Sequence, residues 1–138
     1  MGLIKEQVVA PDPEGVRLAR ALHMERNPIR VAHLLVEDLG LEQRQLAEAC
    51  GVSEASVSEW LKGSEDRTPH QRDRILELAY VVISALVTGS ITPVRLRAWL
   101  SSPMDFFLED APLAAIAKGN FNAVADAARD FASGRLPV

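Results

Sequence analysis

The sequence predicts an all-α fold, a helix-turn-helix bundle followed by a small helical domain. No segment shows the apolar-polar alternation of a strand over any length. Hydrophobic residues make up 48% of the chain but aromatics only 5%, and alanine and leucine abound, which suits helix-on-helix packing. The chain is punctuated as helices are, by cap residues followed by proline and by glycines at the far ends. With 138 residues it can bury one sizeable core and a small appendage.

Residues 1–12 read as a loose arm. Pro11 and Pro13 bracket Asp12, a fair N-cap, so a helix is expected from Pro13 to about Arg26. Val16, Ala19, Leu22 and His23 would form its inner face, with Arg17, Arg20 and Arg26 off it. Asn27-Pro28 restarts the chain, and a second helix to Leu39 turns Val31, Leu34, Leu35 and Leu39 inward before Gly40 ends it. The residues around His23 and His33 hold no cysteine, histidine or carboxylate cluster at metal spacing, so both read as surface or edge residues and no cofactor is expected.

The stretch from Gln43 to Gly63, QRQLAEACGVSEASVSEWLKG, is the organising motif. A helix from about Glu42 to Cys50 must stop at Gly51, because glycine reaches the left-handed conformation without a Cβ clash. Ser53 is a good N-cap for the next helix, Glu54 to about Lys62. Leu46, Ala47 and Cys50 form one apolar stripe, Val57, Trp60 and Leu61 the other, and Val52 plugs the angle between them. Ala47 is small where two crossing helices touch. This is the steric recipe of a helix-turn-helix, against the plainer reading of a helical hairpin with a glycine turn.

A polar loop, Gly63 to Arg67, precedes Thr68-Pro69-His70-Gln71, which reads as a capping box opening a helix to about Thr88, stopped by Gly89. Leu78 to Val87 is apolar almost all round, as a helix buried on every side would be. We expect it to bridge both halves of the chain and contribute to a dimer, with Val82 in the contact. Thr92-Pro93 opens a helix to Leu100 carrying Val94, Leu96 and Trp99. Met104, Phe106 and Phe107 lead to the polar Glu109-Asp110, and Ala111-Pro112 opens a helix through Lys118 with Leu113 and Ile116 inward. Gly119 stops it, and Asn120 caps a last helix, Phe121 to about Ala132, whose inner face is Phe121, Val124, Ala128 and Phe131. The expected units are residues 1–27 (arm and first helix), 28–67 (helix-turn-helix domain), 68–90 (connecting and dimerisation helix) and 91–138 (C-terminal domain and tail).

The net charge of −4 is unusual for a nucleic-acid binder. Residues 1–69 hold 8 basic and 12 acidic residues, whereas 70–138 hold 7 of each. The half with the helix-turn-helix thus carries all the net negative charge. Non-specific DNA affinity comes largely from Lys and Arg on phosphates, so a single copy should bind DNA weakly and a dimer or larger assembly is needed. The start, MGLIKEQVV, has no long apolar core, and the run from Ala79 to Val87 is too short to span a bilayer. The single Cys50 lies on the buried stripe and reads as a small core hydrophobe, which makes a reducing cytoplasm the expected location. No nucleophile with a base beside it, no carboxylate pair in context and no glycine-rich phosphate loop is present, so no enzymatic activity is expected.

Gln43, Leu46, Ala47, Gly51, Val52, Ser53, Val57, Ser58 and Trp60 follow the pattern Q-x-x-L-A-x-x-x-G-V-S-x-x-x-V-S-x-W, which resembles the helix-turn-helix of Xre-type transcription factors. Trp99-Leu100, Pro103, Pro112-Leu113, Ile116 and Gly119, followed by a final apolar helix, resemble the toxin-binding domain of Xre/MbcA/ParS antitoxins. The resemblance covers roughly residues 28–134. One departure is the glycine-free stretch Asp105-Phe106-Phe107-Leu108-Glu109-Asp110, where that family has a glycine-containing loop. The resemblance implies an antitoxin whose partner is a RES-domain toxin that degrades NAD. It would cover the toxin's active-site entrance with its C-terminal region and repress its own operon through the helix-turn-helix. The competing reading is a stand-alone regulator whose C-terminal half dimerises or binds a ligand.

Operator DNA contacts are expected from Gln43 and from the exposed side of the second helix of the motif: Ser53, Glu54, Ala55, Ser56, Ser58, Glu59 and Lys62. The serines can donate to phosphates at a helix N-terminus, and the glutamates can accept from a cytosine amino group. The C-terminal half would present Lys118, Asn120, Arg129 and Arg135, with Leu136 and Val138 as apolar groups on a tail that a toxin cleft could take up.

Overall fold

The computed structural model describes residues 12–63, 69–103 and 110–134. Among them the chain forms eight α-helices and no strand. In order they are α1 (Pro13–Met24), α2 (Pro28–Glu37), α3 (Gln43–Cys50), α4 (Glu54–Leu61), α5 (Pro69–Thr88), α6 (Pro93–Leu100), α7 (Pro112–Ala117) and α8 (Phe121–Ala132). Several starts have their expected local cause. Asp12 and Asn27 cap α1 and α2 with side-chain oxygens 2.9 Å from the Gly15 and Ile29 amides, and Thr92 caps α6 through the Arg95 amide at 3.2 Å. Asn120 stands at the cap position of α8, but its side chain makes no cap hydrogen bond, so this helix begins without the device expected of it. The expected box at Thr68 and the apolar Met104, Phe106 and Phe107 lie outside the described residues.

The long helix α5 is the axis of the molecule. It packs against α1, α2 and α3 from the N-terminal half and against α6, α7 and α8 from the C-terminal half. Ile75, Leu78, Val81, Val82, Ala85 and Leu86 are fully buried in one continuous core. Each such aliphatic side chain contributes roughly 1.5–3 kcal/mol of burial free energy. Val82 therefore serves the chain's own core and cannot be the dimer contact expected of it. A second correction follows from the same helix. Leu76, Tyr80 and Val87 are 41%, 46% and 55% exposed, so α5 is not buried on every side.

Small residues set the helix spacings. Gly15 lets α1 approach Leu86, whose Cδ2 stands 3.1 Å from where a Cβ would be. At Gly89 a Cβ would lie 2.1 Å from the Ala132 carbonyl oxygen, so α5 and α8 meet at backbone contact there. The α1 face is rotated from expectation. Gly15, Leu18, Ala19 and Leu22 point inward, Val16 is half-buried and His23 is exposed, because α1 leans on α5 through the residues beside Gly15. Leu34 and Phe121 are half-buried and pack against the core, whereas Val31, Leu35, Leu39, Val124, Ala128 and Phe131 are buried within it.

Two polar contacts tie the helix-turn-helix to the C-terminal half. Gln45 Nε2 donates to Ser101 Oγ at 2.6 Å, while Gln45 Oε1 accepts from the Glu42 amide at 2.8 Å as part of a capping box. Arg97 donates to the Leu39 carbonyl at 3.4 Å, reaching over Gly40. α7 also packs on α3.

Candidate nucleic-acid interface and partner surface

The turn between α3 and α4 is built as its residues dictate. Gly51 adopts φ +70°, and its amide and that of Val52 close onto carbonyls at the end of α3. Leu46, Ala47, Ala49 and Cys50 of α3 and Val57 and Trp60 of α4 are buried, with Val52 half-buried between the helices. Ser53 Oγ accepts from the Ser56 amide at 3.2 Å and lies 3.1 Å from Ser56 Oγ. Burial raises the Cys50 thiol to about 12, with Arg74 pulling weakly the other way, so the thiol stays protonated and inert.

Of the residues expected to face DNA, Ser53, Glu54, Ala55, Glu59 and Lys62 are exposed, and Gln43, Ser56 and Ser58 are half-buried. Sequence reasoning missed Arg44, an exposed cation at the start of α3. Its guanidinium grips Glu42 through Nε and Nη2 at 3.1 and 3.2 Å. Its pKa is raised by the bond to Glu42 and by the charges of Glu42, Glu54 and Glu48. Residues 42–62 thus carry four glutamates against Arg44 and Lys62, so the face is acidic and its one arginine is already engaged.

In the C-terminal half, Trp99 stacks on Phe131 with ring centroids 5.4 Å apart and an interplanar angle of 15°, and the Arg95 guanidinium lies 5.2 Å from the Phe131 centroid. Trp99 is core, as expected, and its buried Nε1 has no acceptor. The candidate partner residues are not gathered in one place, since Lys118 and Asn120 precede α8 and Arg129 lies in its last turn. Lys118 is exposed and pairs with Asp110, Asn120 is exposed, and Arg129 pairs with Asp126. Arg129 is therefore not a free cation. Arg135, Leu136 and Val138 lie outside the described residues. At the junction of the two halves, Arg74 pairs with Glu77 at 2.5 Å, both largely buried, with its Nη2 beside Gly119. Among the described residues no group of His, Cys, Asp or Glu is arranged to hold a metal ion.

A family profile described as helix-turn-helix matches residues 34–73, from the middle of α2 into α5. Among curated proteins, none matches the chain by sequence. Among solved structures, the fold is similar to a chain of the M. tuberculosis MbcT-MbcA toxin-antitoxin complex, with a TM-score of 0.64 and 20% identity over 82% of this chain and 100% of that one. Residues 34–73 are therefore an Xre-like helix-turn-helix domain, and the helices described around it share the fold of a chain of that toxin-antitoxin complex.

Proposed function

We propose that this chain is the antitoxin of a toxin-antitoxin pair. It binds and neutralises a RES-domain, NAD-degrading toxin through its C-terminal half and represses its own operon through α3 and α4. The observation that carries the reading is the coincidence of two features in one chain. A helix-turn-helix spans residues 34–73, and the fold around it covers the whole of a chain from a toxin-antitoxin complex. The rigid attachment of the two halves through Gln45–Ser101 and Arg97–Leu39 suits a protein that serves two partners at once.

The acidic reading face favours low affinity per copy and discrimination by base contacts, with Glu54 and Glu59 accepting from cytosine amino groups and Ser53 and Ser56 donating to phosphates. The toxin surface would comprise Lys118, Asn120, Arg129 and the tail residues Arg135, Leu136 and Val138. Arg129 would have to exchange Asp126 for a toxin carboxylate. The test is to express the chain together with the gene beside it and to measure growth with the toxin induced. Full-length chain should rescue growth and co-purify with the toxin, and a chain lacking residues 134–138 should rescue poorly with unchanged melting and operator binding. Full rescue by the truncated chain removes the tail from the reading. Failure of any neighbour to co-purify favours the stand-alone regulator, which the helix-turn-helix alone would equally support.

A further inference from the structure

Of the two cations in residues 42–62, Lys62 stands at the far end of α4 and Arg44 in the first turn of α3. The guanidinium of Arg44 lies close enough to Glu54, the first residue of α4, and to Glu48 for both charges to act on it. Arg44 therefore sits on the edge where α3 meets the start of α4. In a helix-turn-helix the first helix of the motif crosses the DNA backbone, while the start of the second reaches base edges. A cation on that edge of α3 is placed for phosphate rather than for a base. The group it grips resembles phosphate. Nε donates to Glu42 Oε2 at 3.1 Å and Nη2 to Glu42 Oε1 at 3.2 Å, a paired bond to two anionic oxygens. The side chains of Arg44 and Glu42 are 65% and 62% exposed, so a duplex can reach the pair.

We propose that Arg44 is a phosphate-binding residue of the DNA interface, and that Glu42, standing in for phosphate, holds it back in the free chain. This rests on the operator-binding reading of α3 and α4. The two partners are not equally movable. Glu42 is pinned through its backbone: its amide donates to Gln45 Oε1 at 2.8 Å, and its carbonyl accepts from the Gln45 and Leu46 amides at 2.9 and 3.1 Å. Gln45 is itself held by Ser101 Oγ at 2.6 Å. Arg44 carries its guanidinium on a long stem and, among the described residues, bonds only to Glu42, so it is the arginine that swings out. An exposed ion pair is weak, which makes the exchange for phosphate cheap. Until the exchange occurs, the pair withholds the one cation at this edge. It thus acts as a brake on sequence-independent binding, beyond the repulsion that Glu48 and Glu54 supply, and leaves discrimination to the base contacts.

The test is fluorescence anisotropy with the full chain, on a duplex from upstream of its own gene and on a scrambled duplex of equal length, between about 50 and 200 mM salt. Glu42→Gln and Glu48→Gln remove the same charge, but only the first frees Arg44. Glu42→Gln should bind both duplexes about 2–5-fold more tightly per bound copy than Glu48→Gln, the factor by which an exposed pair competes. Arg44→Ala should weaken binding to both duplexes and lower the slope of log K against log salt by about 0.9 per copy. In the Arg44→Ala background the advantage of Glu42→Gln over Glu48→Gln should vanish. All these positions are open to water, and melting curves should match wild type. Equal tightening by the two glutamate variants would overturn the proposal, as would an advantage that survives the loss of Arg44. A loss confined to the upstream duplex in Arg44→Ala would overturn it too, because Arg44 would then read a base. Wild-type and Glu42→Gln chains that bind neither duplex would overturn the proposal together with the operator-binding reading. A wild type that binds DNA and is indifferent to Arg44→Ala would overturn the proposal alone.

Discussion

Replacing Gly40 by alanine tests how the two halves of the chain are held together. Gly40 sits at φ +91°, where a Cβ costs about 1–2 kcal/mol. That Cβ would also lie 2.1 Å from Arg97 Nη1, so the guanidinium must move away and give up its bond to the Leu39 carbonyl. At 3.4 Å that bond is long, and its loss adds about 1 kcal/mol. Gly40→Ala should therefore cost about 2–3 kcal/mol, or roughly 8–12 °C in melting temperature for a chain of this size. Gly51 is the control. It has φ +70° with nothing within 4 Å of a Cβ, so Gly51→Ala should cost only the backbone share, about 1–2 kcal/mol. The assay is a double-mutant cycle by chemical denaturation with Arg97→Ala. In the Arg97→Ala background the cost of Gly40→Ala should fall to that of Gly51→Ala. An equal cost in both backgrounds would show that Arg97 does not hold the end of α2.

Gly89→Ala should be the harsher glycine change despite an ordinary φ, because the carbonyl it meets is backbone of α8 and cannot rotate away. We expect a loss of at least about 3 kcal/mol by denaturant titration, and a loss under 1 kcal/mol would contradict the contact. Cys50 should resist a thiol reagent at pH 8 in the native chain and react once unfolded. Its raised pKa also sets a sign, since the unfolded thiol ionises near 9 and the folded one near 12, so the thiol's contribution to stability should decline as pH rises through that window. Cys50→Ala should flatten that decline. Ser56→Glu should weaken operator binding at least ~10-fold in a gel-shift titration by placing a charge beside phosphate, with the melting curve little changed, and unchanged affinity would mean that α4 is not the reader.

The helices were legible in the sequence because their punctuation is local. Asp12-Pro13, Asn27-Pro28, Thr92-Pro93 and the glycines at 40, 51 and 119 act within a turn of themselves, and the observed boundaries fall within two residues of expectation. The turn between α3 and α4 was legible for the same reason. What could not be read was how faces rotate when helices pack. Val16 and His23 looked inward until Gly15 let α1 roll onto α5, and Val82 looked like an interface residue until packing set it wholly within the chain's own core. The polar contacts Gln45–Ser101 and Arg97–Leu39 span 56 and 58 residues, and no local pattern announces a pairing at that distance. At the candidate sites, exposure of the α4 face followed from helical period, but the engagement of Arg44 by Glu42 and of Arg129 by Asp126 depends on side-chain geometry.

The most direct measurement of the central claim is the NAD content of cells in which the neighbouring gene is induced, with and without this chain. The account predicts that NAD falls and growth stops when the neighbour is expressed alone, and that both are preserved when this chain is present in comparable amount. NAD that falls to the same extent with and without this chain, or that never falls, would contradict it.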